Sequence, residues 1–341
     1  MPNTYSTDVL IGVVAGLPAP NPALLDRYYT QTSQDESEEI HFDLIDSKRR
    51  IAPFVHPLVE GKVVEGLGFH TNTFKPAYVK DKRVFDPSKP LKRAVGEQIG
   101  GSLSPLQRRD VYLAQSMQDQ VEMLARRQEV MASEEIRTGK VTVVGEGYPT
   151  ALVDFQRDAT LSPAALTSTA RWGQSAAAIT ANLKTWSKLV RKKSGRNPND
   201  VIMGEDAFDA FSSDATVKAE LDNRRINGSQ LDLSGPVEEG LTFHGVFRGK
   251  NIWSYSGTYV DPIDDTEKEI WPLGDVALVS VGIEGVRCYG AIRDGKAGFR
   301  AMAYFPKMWE KDDPAVEYLM LQSAPLPVPM QPNATLGVTV L

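Results

Sequence analysis

The stretch Ser104–Gly139 reads SPLQRRDVYLAQSMQDQVEMLARRQEVMASEEIRTG. Ser104 is a favourable N-cap residue, Pro105 suits the first helical turn, and Gln107 can complete a capping box. The next glycine or proline is Gly139, which supplies a C-terminal stop signal. These signals predict one helix from Pro105 to Thr138, about 50 Å long at ~1.5 Å of rise per residue.

Large apolar residues recur along this helix with helical spacing, which predicts that one face packs on the protein's own sheet. They are Leu106, Leu113, Met117, Val121, Leu124 and Met131. The charged residues are assigned to the faces offered to solvent or to neighbours. These are Arg108, Arg109, Asp110, Asp119, Glu122, Arg126, Arg127 and Glu129. A coiled-coil arm is the alternative interpretation, which the imperfect heptad disfavours.

The overall composition is that of a folded protein with an acidic balance. The chain has 341 residues, with 38 lysines and arginines against 44 aspartates and glutamates, giving a net charge of −6. This length favours two domains, or one domain with extensions. The acidic balance disfavours a broad DNA-gripping surface. The single cysteine, Cys288, excludes an internal disulfide and indicates a reducing compartment. We expect neither a membrane span nor a signal peptide.

The order of elements predicts an α+β protein. Residues 1 to about 45 show weak periodicity and could form an arm that orders on a neighbouring subunit. The patterns at Phe54–Val64 and Tyr78–Phe85 predict a long two-stranded excursion. After the long helix come two strands, an amphipathic helix over Gln174–Lys193 and two short helices. Several strands follow between Leu241 and Ile292, among them Leu241–Phe247 and Asn251–Val260. A proline-rich tail precedes a last strand at Leu336–Leu341.

The motifs of common enzymes and metal sites do not occur in the sequence. The four histidines form no helical pair of metal ligands. Gly145-Glu146-Gly147 is followed by no Lys-Ser/Thr, and no Gly-x-Ser-x-Gly elbow occurs. Cys288 lies in a strand pattern, where a buried, inert thiol is the expected state. We therefore expect no catalytic site, no cofactor and no metal.

Two stretches carry a resemblance to a known family. Phe54–Gly61 (FVHPLVEG) with Phe74–Lys80 (FKPAYVK) resembles the extended loop of the lambda-like major capsid proteins of tailed bacteriophages. Asp313–Leu326 (DPAVEYLMLQSAPL) resembles the C-terminal region of the same family. Shorter matches fall between them in the same order, so the resemblance covers nearly the whole chain from Phe54 onward.

The resemblance implies the tailed-phage major capsid fold of the Hong Kong 97 type. That fold has an N-terminal arm, an extended β-hairpin loop, a peripheral domain with a long spine helix, and an axial domain. The implied segments are 1–45 for the arm, 46–95 for the extended loop, 96–150 for the peripheral domain with the spine, 151–300 for the axial domain, and 301–341 for the return to the peripheral domain and the tail.

The implied function is that of a structural head protein. It would self-assemble as hexamers and pentamers into an icosahedral shell that encloses double-stranded DNA without sequence-specific binding. A decoration protein, a separate scaffold protein and a portal are the expected partners, with no membrane involved. The protein would be found in the virion, and in the host cytoplasm during assembly. The alternatives are a cytoplasmic enzyme with a site of scattered carboxylates, and a non-viral compartment shell.

For a shell protein, the functional residues are those at subunit interfaces. In the extended loop, Phe74 and Tyr78 would bury apolar area on a neighbour, while Lys75, Lys80 and Lys82 would meet acidic groups. On the spine helix, the candidate interface residues are Arg108, Arg109, Glu122 and Arg126. For each charged residue, a merely solvated side chain is the alternative.

Overall fold

The computed structural model describes residues 5–18, 20, 22–37, 39–46, 56, 60, 68–85, 92, 103–145, 148–224, 237–238, 240–311 and 316–341. Within these ranges the helices are α1 (Thr7–Gly16), α2 (Ala23–Tyr28), α3 (Pro105–Thr138), α4 (Ile179–Ser194), α5 (Glu205–Ser213) and α6 (Ala215–Arg224). The strands are β1 (Gln31–Gln34), β2 (Ile40–Asp46), β3 (Gly68–Phe74), β4 (Val79–Phe85), β5 (Lys140–Gly145), β6 (Tyr148–Asp154), β7 (Asp200–Gly204), β8 (Val237–Glu238), β9 (Leu241–Phe247), β10 (Lys250–Tyr255), β11 (Thr258–Val260), β12 (Glu267–Glu269), β13 (Asp275–Val279), β14 (Gly285–Tyr289), β15 (Phe305–Lys311), β16 (Val316–Ser323), β17 (Pro325–Pro329) and β18 (Thr335–Thr339).

The spine helix α3 has the bounds that its sequence predicts. The Ser104 hydroxyl accepts the amide of Gln107 at 3.3 Å, and the Gln107 side chain accepts the amide of Ser104 at 2.8 Å. At the other end Gly139 adopts φ +72°, the left-handed conformation that closes a helix. The predicted capping box and glycine stop are therefore confirmed, and they explain why a 34-residue helix begins and ends where it does.

A six-stranded sheet forms one large unit, in the order β18-β13-β7-β10-β9-β8. All five residues of β7 and all five of β13 are buried, because both faces of the sheet are covered. One face packs on α4, α5 and α6. The other face packs on α2 and the C-terminal half of α3. Strand β18 belongs to this sheet, although it lies within the segment 301–341 that was assigned to the peripheral domain and the tail. The predicted domain boundaries stay a prediction.

A second sheet, in the order β15-β16-β4, lies against the N-terminal half of α3. Its inner face carries Phe85, Met308 and Leu319, which form a core cluster with Leu113 and Met117 of the spine. Helix α1 covers the same cluster by inserting its one fully buried side chain, Leu10. Helix α1 was not predicted, because its sequence is apolar on several sides and lacks a clear helical stripe.

The excursion between residues 40 and 85 pairs differently from the prediction. Strands β2 and β3 pair antiparallel with each other from Ile40↔Phe74 to Asp46↔Gly68, and so provide a hairpin stem. Strand β4, predicted as one arm of the excursion, pairs instead with β16, from Val79↔Ser323 to Phe85↔Glu317. This pairing gives Phe85 a place in the core under α3. The predicted strand Phe54–Val64 lies outside the described residues apart from His56 and Glu60.

The proline-rich tail contains a strand, β17, which its proline-rich composition does not predict. Strand β17 pairs antiparallel with β14, and all five of its residues are buried. It is an edge strand of the sheet β1-β14-β17, a position that tolerates prolines because one side of the strand needs no ladder hydrogen bonds. Two further bounds also differ from the prediction. Helix α4 begins at Ile179 rather than Gln174, and the strand predicted over Asn251–Val260 is interrupted at Ser256-Gly257.

Candidate subunit interface

The two predicted interface aromatics, Phe74 and Tyr78, are half-buried within their own chain. Phe74 packs against the core cluster that contains Ile40 and Leu326. The Tyr78 hydroxyl donates a hydrogen bond to the carbonyl oxygen of Ala291 at 2.6 Å. Part of their apolar area is therefore used in the subunit itself, and only the remainder is available to a neighbour.

The three predicted loop lysines are exposed. Lys75 lies in the connection between β3 and β4, whereas Lys80 and Lys82 lie on β4 itself. The Lys82 ammonium sits 4.1 Å from the centre of the Tyr318 ring and 5.4 Å from that of Trp309. This cation–π contact holds Lys82 on the outer face of the sheet, with its charge still accessible.

Arg109, a predicted interface residue of the spine, is bound within its own chain. Its guanidinium donates two hydrogen bonds to the Glu317 carboxylate, at 3.0 and 2.7 Å. Tyr5 lies beside this pair, with its hydroxyl donating to Asp110 at 2.7 Å. The bidentate pair joins the spine to β16, so the most evident role of Arg109 is to hold the subunit together.

The other three spine candidates differ in how far they are engaged. Arg108 is half-buried, and half-buried Glu122 accepts a hydrogen bond from Gln118 at 3.1 Å. Arg126 is exposed and makes no ion pair with any residue that the structure describes. Of the spine candidates, Arg126 thus has the strongest claim to a partner outside the subunit.

A groove of about 510 Å³ runs between the spine, the start of β4 and the β11–β12 hairpin. It is lined by Met123, which is 45% exposed despite its apolar side chain, and by Arg126. Val260 of the hairpin, 60% exposed, lines the opposite wall. Two such exposed apolar side chains, beside a guanidinium that forms no ion pair with a described residue, are typical of a surface that a protein partner covers.

Glu129 is buried, which corrects its assignment to an outer face of the spine. Its carboxylate accepts the backbone amides of Leu24 at 2.7 Å and Leu25 at 3.2 Å, and the Tyr255 hydroxyl at 3.0 Å. The two amides belong to the first turn of α2, whose N-cap, Pro22, offers no side-chain acceptor. Burial raises the pKa of Glu129 to about 7, although these hydrogen bonds oppose the shift.

Glu135 is a second buried carboxylate on the spine, one turn and a half further along. It accepts a hydrogen bond from the Tyr29 hydroxyl, and burial raises the pKa of Glu135 to about 7. Close by, the Arg157 guanidinium donates to the carbonyl oxygens of Ile136 at 2.8 Å and Arg137 at 2.6 Å. These contacts satisfy the last carbonyls of the spine helix, and burial lowers the pKa of Arg157 to about 10.

The segment around α2 is anchored at a third point, on the six-stranded sheet. The buried carboxylate of Asp200 accepts from Arg27 at 2.9 Å, from Tyr28 at 2.8 Å and from Asn251 at 2.7 Å. Three buried carboxylates thus bind the segment 24–29. A sequence signal for one of them existed, because Glu129 lies four residues after Ala125 and seven before Ile136, on the buried stripe.

The described residues contain no side-chain cluster typical of a metal site. No group of three or more His, Cys, Asp or Glu side chains in these ranges could hold a metal ion. Cys288 is buried, which raises the pKa of its thiol to about 12. Among the helices that can be described, none is long and apolar enough to cross a membrane.

Comparison with known proteins identifies the family. The family model described as phage major capsid protein E matches residues 6–340. The chain belongs to the phage major capsid protein E family. Major capsid proteins of Escherichia phage N15 and Escherichia phage lambda are each 28% identical to it, over 98% and 93% of this chain and 99% and 94% of theirs. The resemblance to lambda-like major capsid proteins is thereby confirmed.

Solved structures of low sequence identity share the fold. A putative capsid protein of an E. coli CFT073 prophage superposes with a TM-score of 0.76 at 23% identity, covering 99% of each chain. A phage-related protein from Bordetella bronchiseptica RB50 gives 0.54 at 12% identity, covering 97% of this chain and 96% of that one. The α+β tailed-phage capsid fold is confirmed. Membership of the family makes this a structural head protein and supports neither the scattered-carboxylate enzyme nor the non-viral compartment shell.

Proposed function

We propose that this chain self-assembles as hexamers and pentamers into the icosahedral head that encloses the double-stranded DNA of a tailed phage. The observation that carries this proposal is the family match, which runs from residue 6 to residue 340. A match of that extent includes the segment around α2, the spine and both sheets. The role belongs to the virion, and to the host cytoplasm while the shell is being built.

We propose that this protein functions through contacts between subunits and not through an active site. Arg126, Lys75 and Lys80 offer exposed charge, and Met123 offers exposed apolar surface. A single surface ion pair contributes about 0–1 kcal/mol. A closed shell repeats each contact many times, and its subunits are held at several contacts at once, so weak contacts suffice. The protein needs no cofactor and no catalysis for this role.

The organisation into an arm (1–45), an extended loop (46–95), a peripheral domain (96–150 and 301–341) and an axial domain (151–300) is part of the proposal. The β2–β3 stem supports the loop, because it holds two distant parts of the chain side by side. The packing of the β15-β16-β4 sheet on α3 supports a peripheral unit built from both ends of the chain.

The packaged DNA is proposed to be enclosed without sequence-specific binding. The net charge of −6 favours a container that does not grip its genome while it fills. A separate scaffold protein, a portal and a decoration protein complete the proposed set of partners, as the family resemblance implies.

Sedimentation and negative-stain microscopy test the proposal directly. The chain is expressed alone and with its neighbouring genes, and the lysate is fractionated on a density gradient. We expect closed shells or capsomer rings in the fast fractions under at least one condition. A protein that stays a small oligomer under every condition would contradict the proposal and reopen the enzyme alternative.

A further inference from the structure

The outer face of the β15-β16-β4 sheet is basic and aromatic. In the cross-strand register, Lys82, Met320 and Lys307 stand side by side in one row. Val84, Tyr318 and Trp309 form the next row. Partners directly opposite each other in antiparallel strands project to the same side. We call this surface the basic face, and its members are Lys80, Lys82, Val84, Lys307, Trp309, Lys311, Tyr318 and Met320.

The basic face has the composition of a protein-binding surface. The rings of Trp309 and Tyr318 are stacked, with centroids 5.4 Å apart, and Lys82 lies over them. Val84 at their edge is 50% exposed. Lys307 is paired with Asp294 at 2.5 Å, whereas the other three lysines make no ion pair with a residue that the structure describes. Exposed aromatic side chains and methionine are enriched at protein interfaces, and the lysines add a charge that an acidic surface can complement.

The β11–β12 hairpin has the opposite charge. Between Thr258 and Glu269 the chain carries five carboxylates and one lysine. We call this segment the acidic hairpin, and its carboxylates are those of Asp261, Asp264, Asp265, Glu267 and Glu269. Val260 and Ile263 on it are 60% and 64% exposed. The register places Val260 beside Glu267, and Thr258 beside Glu269, on one face.

The acidic hairpin is built as a rigid projection. The Lys268 ammonium binds Asp261 at 2.5 Å and Asp264 at 2.9 Å across the turn. Asp261 also accepts the amide of Ile263 at 2.9 Å, and Asp264 that of Thr266 at 3.2 Å. The hydrogen bond from the Thr266 hydroxyl, at 2.6 Å, and the one from Lys268 lower the pKa of Asp264 to about 2, so its charge persists at neutral pH. A preorganised turn loses little conformational freedom when it binds.

We propose that the acidic hairpin of one subunit docks on the basic face of a neighbouring copy of the same chain. The proposal rests on the function proposed above and names one of its subunit contacts. Charge complementarity carries it, because an acidic protein of net charge −6 places four lysines on one sheet face and five carboxylates on one hairpin. Val260 and Ile263 also offer apolar contacts to Val84 and the aromatic pair.

A second copy fits this surface better than single-stranded nucleic acid does. The contact joins two different patches, and such head-to-tail contacts close into rings, as a capsomer requires. Recognition of single-stranded nucleic acid needs open aromatic faces for stacking, but here the rings stack on each other beneath Lys82. Every copy also carries both surfaces, so each contact in a ring is supplied with both halves.

Disulfide trapping tests the contact in the assembled protein. The only native cysteine, Cys288, is 5% exposed, so it should not form disulfide-linked dimers that obscure the trapped product. Val84→Cys and Ile263→Cys are made in separate chains and co-assembled, then oxidised with diamide. We expect a dimer on a non-reducing gel that neither variant gives alone. The matched control pairs Val84→Cys with Val281→Cys, which is 57% exposed and outside both surfaces, and should give no dimer.

Charge reversal provides the second measurement. One double variant carries Lys82→Glu and Lys311→Glu, and the other carries Glu267→Lys and Glu269→Lys. We expect each of them to lower the yield of closed shells at least about ten-fold. Combining all four reversals should restore the yield. Shells that form normally with either pair reversed, and that give no trapped dimer, would overturn the inference and leave the proposed function intact.

Binding of DNA or of a different protein to the basic face would give results that differ from docking of the acidic hairpin. If reversal of the lysines leaves shell assembly unchanged but impairs DNA packaging, the face serves nucleic acid and the inference fails. If it abolishes only the binding of an added partner protein, the face serves that partner and the inference also fails. If the unmodified chain never assembles into shells, the proposed function itself fails. That result differs from both outcomes above, in which the unmodified chain does assemble.

Discussion

The carboxylate of Glu129, in the C-terminal half of the spine helix, accepts the backbone amide of Leu24 at 2.7 Å. This bond, with a second one to Leu25, fixes the start of α2 to the spine. Because the carboxylate is buried, its pKa is raised to about 7, and its charge depends on pH within the physiological range.

Glu129→Gln is expected to flatten the pH dependence of stability. A carboxyl whose pKa is about 7 when folded and near 4.5 when unfolded takes up a proton on folding between these values. Its stabilising contribution is therefore present below about pH 4.5 and is lost as the pH rises through 7. Thermal midpoints of purified particles between pH 5 and 8 should fall less steeply in the variant. Glu122→Gln, at a half-buried site on the same helix, is the control, and equal slopes in both variants would contradict the assignment.

Gly337→Ala is expected to be severely destabilising. A Cβ at Gly337 in β18 would lie 1.9 Å from the carbonyl oxygen of Arg137, near the end of the spine. Overpacking of this kind costs about 1–3 kcal/mol, and a clash with backbone belongs at the upper end. Soluble yield and thermal midpoint should both drop. Gly12→Ala, in a helix with nothing within 4 Å, should change stability by less than about 1 kcal/mol. If the two variants behave alike, the close approach of helix and strand is wrong.

Arg109→Met and Arg126→Met should separate folding from assembly. Loss of the two hydrogen bonds to Glu317 is expected to cost the subunit about 1–3 kcal/mol, measured by urea unfolding of unassembled capsomers. Arg126→Met should change that free energy by less than about 0.5 kcal/mol. Its effect should appear instead as a lower yield of shells. Normal assembly of Arg126→Met would remove this residue from the interface candidates.

Cys288 is expected to be inert in the native protein. The residue is 5% exposed, and burial raises the pKa of its thiol to about 12, so little thiolate is present at pH 8. Ellman's reagent should label native particles negligibly and one thiol per chain after denaturation. Rapid labelling of intact particles would show that β14 is not buried as described.

The sequence predicted those elements whose ends are set by residues close to them in the chain. The spine has its predicted bounds because the capping box and Gly139 lie within a few residues of its ends. Strand β9 likewise has its predicted bounds, Leu241–Phe247. Even in the proline-rich tail, the apolar positions were visible, but their pairing with β14 depends on residues about 40 positions earlier.

Long-range pairing is what the sequence could not reveal. The register that joins Val79–Phe85 to Val316–Ser323 connects segments more than 200 residues apart, and alternation alone cannot choose between partners. Glu129 was assigned to an outer face because a carboxylate is rarely buried. Its partners, the amides of Leu24 and Leu25, lie about 100 residues away, and only the folded chain brings them together.

Some of the predicted interface residues are exposed, whereas others are bound within their own subunit. Lys80 and Arg126 are exposed, and their role at a subunit interface stays a prediction. Arg109 was equally plausible from its charge and spacing, yet Glu317 is bound to it within the subunit. Charge on a helix face predicts that a partner exists, and does not say whether the partner is in the same chain.

Cryo-electron microscopy of the assembled particles tests the central claim most directly. The account predicts closed icosahedral shells with five-fold and six-fold capsomers, each subunit containing the 34-residue spine helix of Pro105–Thr138. Particles without five-fold and six-fold rings, or a chain that never exceeds a small oligomer even with its neighbouring genes, would contradict it.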